Sequence, residues 1–176
     1  MTPVTALSSL KVLLDEVPVQ WVLIGALAAN RYRSSPRMTG DVDLLLADAG
    51  QSLESLEEML TEAGWNVRRA DPAGELLRIT HAEFGTADLL IAGTDYQQVS
   101  IERAIRETVG DIEIPILTSE DVILQKLIAG RYQDLADIEA ILETSPELDH
   151  DYLSVWIRTW ELEEAWGEFE SSGNRS

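Results

Sequence analysis

Asp41 and Asp43 stand two residues apart in the run Gly40-Asp41-Val42-Asp43-Leu44-Leu45-Leu46, which alternates and then turns fully apolar, the pattern of an internal strand. Alternate residues of a strand point to the same face about 6.6 Å apart, so these two carboxylates can converge on a hard cation. A third, Asp88, sits in a second strand-like run, Ala87-Asp88-Leu89-Leu90-Ile91-Ala92. Carboxylates about 4 Å apart repel by about 1 kcal/mol per pair in water and about 4 kcal/mol at an effective dielectric near 20, and a divalent metal relieves that repulsion. The grouping points to Mg²⁺ or Mn²⁺ held by Asp41, Asp43 and Asp88.

Other chemistries find no residues to run on. Cysteine is absent, and only His81 and His150 offer imidazole, which argues against structural zinc, thiolate catalysis and a disulfide scaffold. Oxygen ligands remain, and they favour hard metals. There is no Walker loop and no nucleophile elbow. His81 reads as a surface or hydrogen-bonded side chain, and His150, between Asp149 and Asp151, as a solvated one.

Several elements must position the acidic pair. Residues 5–16 have apolar positions at helical spacing, and 20–24 form a short apolar run ending at Gly25. An Ala-rich stretch then resumes over 26–32, so the sequence predicts strand, glycine turn, helix. Pro36 and Gly40 bracket a loop before the strand at 41–46, and 52–63 is an amphipathic helix with Gly64 just beyond its end. Residues 65–68, 76–80 and 86–92 read as strands with a turn near Phe84-Gly85, 96–107 as a helix and 112–116 as a final strand. The expectation is a sheet of about five strands. Thr118-Ser119-Glu120-Asp121 carries a helix-capping signature, and everything after it reads as helix.

Within that helical part, Lys126, Arg131, Asp134 and Asp137 interrupt an apolar periodic pattern. One account is structural, with Lys126 snorkelling outward and Arg131 pairing with Asp134 at i+3. The other is functional, with Lys126 serving a phosphate or the general-base side of a metal site. Spacing leaves both open.

The chain of 176 residues carries 32 Asp and Glu against 13 Lys and Arg, a formal net charge of −19. Gripping nucleic acid over a broad face requires basic side chains that displace counterions, so this balance opposes an extended footprint. The charge is uneven: residues 138–176 hold ten acids against Arg158 and Arg175, whereas Arg31, Arg33 and Arg37 cluster just before the Asp pair. That cluster is either a local positive rim able to attract a triphosphate or an RNA end, or a solvated face that balances the carboxylates. Tyr152, Leu153, Trp156, Ile157 and Trp160 form an apolar stripe that either closes onto its own domain or offers a groove to a basic partner or a second copy. No apolar run approaches the roughly 20 residues that span a bilayer, and no leader pattern opens the chain, which leads us to expect a cytoplasmic protein.

The ordered set Gly25-Ala26, Arg37-Met38-Thr39-Gly40-Asp41-Val42-Asp43, Asp88, then Lys126 with Arg131-Tyr132-Gln133-Asp134-Leu135-Ala136-Asp137 resembles nucleotidyltransferase-like proteins of the AbiEii/AbiGii toxin type over roughly residues 18 to 142. The resemblance implies the DNA polymerase β-like nucleotidyltransferase fold, of α+β class: a core of residues 1–117 with a mixed sheet flanked by helices, and a helical C-terminal portion of residues 118–176. It implies Mg²⁺ or Mn²⁺ at Asp41 and Asp43, with Asp88 as the third carboxylate that helps deprotonate an acceptor hydroxyl. Gly25 and Ala26 would lie against the triphosphate of an NTP, with Arg37 and Thr39 beside them. Lys126, Asp134 and Asp137 would have nucleotide-contacting or catalytic places.

The family usually has Gly or Ser at the second turn position. Ala26 lacks the hydroxyl, although its N–H can still face a phosphate. Acceptors in such relatives are the 3′ end of tRNA or a partner protein, in toxin–antitoxin or phage-defence settings. Others of the type only bind, which sets an antitoxin-like module docking a basic partner beside the enzyme reading.

Overall fold

A computed structural model describes residues 3–47, 51–144 and 147–173. The chain divides into two compact units, Met1–Leu27 with Arg37–Leu117, and Ala28–Pro36 with Thr118–Ser176.

The first unit is built on a seven-stranded mixed sheet of order β3-β4-β5-β2-β1-β7-β6. Its strands are β1 (Trp21–Leu23), β2 (Val42–Leu46), β3 (Asn66–Arg69), β4 (Leu76–His81), β5 (Gly85–Ile91), β6 (Ile105–Val109) and β7 (Ile112–Ile116). β2 and β5 run parallel, as do β1 and β7, and the other neighbours are antiparallel. The apolar β2 is central: Val42, Leu44, Leu45 and Leu46 are fully buried, while Asp43 alone in that strand is half-buried. β4 and β5 alternate cleanly, with Leu77, Ile79, Ala87 and Leu89 inward, as expected of strands with one wetter face. Helices α1 (Pro3–Leu14), α3 (Gln51–Glu62) and α4 (Asp95–Glu102) complete this unit; α1 packs on β2 and β5, and α3 on β3.

Two expectations change. The sheet has seven strands where about five were read, and the helix expected over 96–107 stops at Glu102. Ile105-Arg106-Glu107-Thr108-Val109 instead pairs with β7 in a hairpin closed by Gly110-Asp111. Five residues at a sheet edge with only Ile105 and Val109 apolar give no clear alternation beside the helical run that precedes them, and pairing with β7 decides the outcome.

The second unit is helical: α5 (Ser119–Ala129), α6 (Tyr132–Thr144), α7 (His150–Thr159) and α8 (Glu163–Gly173), joined by the segment that follows Leu27 in α2 (Gly25–Arg31). The capping signature acts as read, the Thr118 hydroxyl accepting from the Asp121 N–H. α5 packs against α6 and α7. Leu153 and Ile157 of the aromatic stripe are buried, and the Tyr152 hydroxyl donates to Asp121 Oδ1 at 2.6 Å, so the stripe closes onto its own unit. Among the described residues no helix is long and apolar enough to cross a membrane.

Candidate active site

Asp43 on β2 is in register with Asp88 on β5, and Asp88 with Arg78 on β4. Residues in register on neighbouring strands share a face, so Asp43, Asp88 and Arg78 form one row across three strands. Asp41 lies two residues before Asp43, exposed at the mouth of β2. Arg78 donates to Asp88 through a full fork, Nε to Oδ1 at 2.8 Å and Nη2 to Oδ2 at 2.6 Å. This hydrogen bonding, the Asp88 charge and then the charges of Asp41 and Asp43 raise the arginine's pKa still further above its ordinary value. The guanidinium is therefore held by Asp88 and lies in the field of Asp41 and Asp43 as well. Sequence reasoning missed Arg78, yet the signal is present: counting outward from the turn at 82–84 sets position 78 opposite position 88.

Gly25 is where the other wall comes closest. The Ile24 N–H donates to the Asp43 carbonyl at 2.9 Å, drawing the end of β1 onto β2. Gly25 then opens α2 with φ +68°, and a Cβ there would stand 2.2 Å from Asp43 Oδ2. Only glycine fits this left-handed turn beside a carboxylate. Gly25→Ala is expected to cost about 1–3 kcal/mol through strain and to push the Asp43 carboxylate aside, measurable as a lower urea midpoint. Ala26 follows, buried in α2, while Arg37 and Thr39 are half-buried in the irregular segment leading into β2.

The donor set suits a hard cation. Asp41 and Asp43 supply oxygen only, and the glycine turn leaves a cradle that any side chain would fill. Among the described residues no three acidic or imidazole groups make a ready cage. Mg²⁺ does not need one, since it is commonly held by one or two carboxylates with water and substrate phosphates completing its shell.

The other predicted residues gather in the helical unit. Lys126 Nζ lies 2.7 Å from both Asp134 Oδ1 and Asp137 Oδ2, Arg131 Nε donates to Asp134 Oδ2 at 2.5 Å, and Arg33 pairs with Asp137 Oδ1. Lys126 does not snorkel: its side chain is 7% exposed, and both aspartates are fully buried. Arg33, counted above toward a positive rim, is engaged in this network, while Arg31 packs over the Tyr32 ring.

Burial pushes the Asp134 pKa up, but hydrogen bonds from Arg131 and Lys126 and their positive charges outweigh it and hold the group below its ordinary value. A carboxylate depressed in the folded state contributes stability above its unfolded value, about 3.9, and loses it as pH falls through the lower folded value. Urea midpoints are therefore expected to drop as pH falls below about 4 in the wild type, and by less in Asp134→Asn.

Residues 12–168, most of the chain, match the family described as nucleotidyl transferase AbiEii toxin, Type IV TA system. The chain belongs to the AbiEii family. No curated protein matches it by sequence. In structure it is similar to the antibiotic-resistance factor ANT(2'')-Ia, with TM-score 0.65 and 15% identity over 97% of each chain. It is also similar to the lincosamide antibiotic adenylyltransferase LnuA in its lincomycin-bound form, with TM-score 0.60 and 17% identity over 80% of this chain and 97% of that one. An antigenic nucleotidyltransferase-like protein from Paracoccidioides brasiliensis gives TM-score 0.56 and 16% identity over 97% of this chain and 88% of that one. At these identities the likeness shows the fold, and the fold of this AbiEii member is that of nucleotidyltransferases.

Proposed function

We propose that this AbiEii member transfers a nucleoside monophosphate from an NTP to an acceptor hydroxyl, by in-line attack at the α-phosphorus with pyrophosphate leaving. The observation that carries this reading is the pairing of Gly25 with Asp43: a side-chain-free turn directly against the carboxylate that stands in register with Asp88. Asp41 and Asp43 hold Mg²⁺ or Mn²⁺, which when bound would neutralise phosphate charge and polarise the reacting oxygens. Gly25 and Ala26 offer backbone N–H groups to the triphosphate, and Arg37 and Thr39 flank it. Asp88, once free of Arg78, takes the acceptor proton. Lys126, Asp134 and Asp137 fix α5 against α6 within the helical unit, which gives Lys126 a structural role in this scheme. The match to a family described as nucleotidyl transferase toxins supports the reaction class. So does the neighbour named as an antibiotic adenylyltransferase.

For the acceptor we favour a basic partner protein over tRNA, within a toxin–antitoxin or phage-defence pair. The net charge of −19 opposes a polyanion, and Arg33, which an RNA contact would have used, is engaged by Asp137. Incubation with α-labelled NTPs, Mg²⁺, candidate partner protein and tRNA tests this. Label on the protein is the expected result, and label on the tRNA 3′ end alone would overturn the choice of acceptor.

A further inference from the structure

Arg78 has no assigned role, yet it closes one end of the acidic row, directly against Asp88. We propose that Arg78 is the built-in counter-ion of the candidate metal site and a positioning residue for Asp88, holding that carboxylate until a competing anion draws the guanidinium away. The inference rests on the metal reading of Asp41 and Asp43.

The geometry carries it in three steps. Both Asp88 oxygens are taken by one planar fork, at 2.8 and 2.6 Å, an arrangement stronger and more directional than a single-point ion pair. The same register that sets Asp43 beside Asp88 sets Arg78 on its other side, so the third carboxylate stands between a candidate metal ligand and its own cation. Arg78 is also nearly half exposed, with 47% of its side chain accessible against 19% for Asp88, so the arginine is the freer partner to move. The anion whose chemistry matches a guanidinium fork as well as a carboxylate does is phosphate. Arrival of a triphosphate can therefore exchange Arg78 from Asp88 onto phosphate oxygen, releasing the carboxylate as substrate binds.

The test is Mn²⁺ binding to the nucleotide-free protein, read from the electron paramagnetic resonance signal of free Mn²⁺, so that it does not depend on activity. Arg78→Gln should bind Mn²⁺ about ten-fold more tightly than the wild type, because a unit charge leaves and Asp88 becomes available. The gain should shrink when the same change is made in Asp88→Asn. Arg78→Lys keeps the charge and loses the fork, should gain two- to three-fold by the same reasoning, and carries the test if Arg78→Gln does not fold. Unchanged or weaker binding in Arg78→Gln, or an equal gain with Asp88 removed, would overturn the proposal. Asp43→Ala separates the two claims: binding that ignores Asp43 refutes the metal reading itself, whereas binding that needs Asp43 but ignores Arg78 refutes only the counter-ion role.

Discussion

Asp43→Ala is expected to lower nucleotide transfer by about 10³-fold or more while leaving the protein folded, because under the proposed mechanism it loses a metal ligand and with it several kcal/mol of transition-state stabilisation. Asp43 is the carboxylate that links the two walls of the site: the Gly25 turn lies against it and Asp88 is in register beside it. It contributes little to the apolar core, which β2 builds from Val42, Leu44, Leu45 and Leu46. Its removal should therefore leave the melting temperature near that of the wild type. Transfer of label from an α-labelled NTP checks the rate, and a variant that retains wild-type turnover would remove Asp43 from the chemistry.

Lys126→Met should have the largest effect on stability, a loss of about 3 kcal/mol read from urea unfolding. Burying one cation between two fully buried aspartates is tolerable only while the pairing is complete, and Met would leave Asp134 with Arg131 and Asp137 with Arg33. Substituting a neutral side chain of similar length isolates charge from packing. If the variant keeps its urea midpoint but loses NTP affinity, Lys126 contacts nucleotide and the structural role assigned to it here is wrong.

These two residues also show what the sequence makes legible. The strand bearing Asp41 and Asp43, the glycine turn and the Thr118 cap announce themselves through short-range rules: period-two alternation, a residue with no Cβ, a hydroxyl before a helix. Arg78 and Lys126 are different, because their meaning depends on partners brought by the fold. Arg78 reads as one more exposed strand residue until the β4–β5 hairpin sets it against Asp88. Lys126 reads either as snorkelling or as a phosphate or metal-site contact until α6 turns back and sets Asp134 and Asp137, three residues apart on one face, against its ammonium. β6 fails for a related reason, since its five mostly polar residues gain their identity from β7 rather than from their own pattern.

The decisive measurement is thermal unfolding of wild type and Asp43→Ala with each NTP, in the presence and absence of Mg²⁺. A ligand at 100 times its Kd stabilises by about 2.7 kcal/mol, which for a domain of this size is a shift of roughly 5–10 °C. We expect at least one NTP to raise the wild-type midpoint only when Mg²⁺ is present, and the shift to vanish in Asp43→Ala. A midpoint that no NTP moves, or one that moves equally in both proteins, would contradict a nucleotide site built on Asp41 and Asp43.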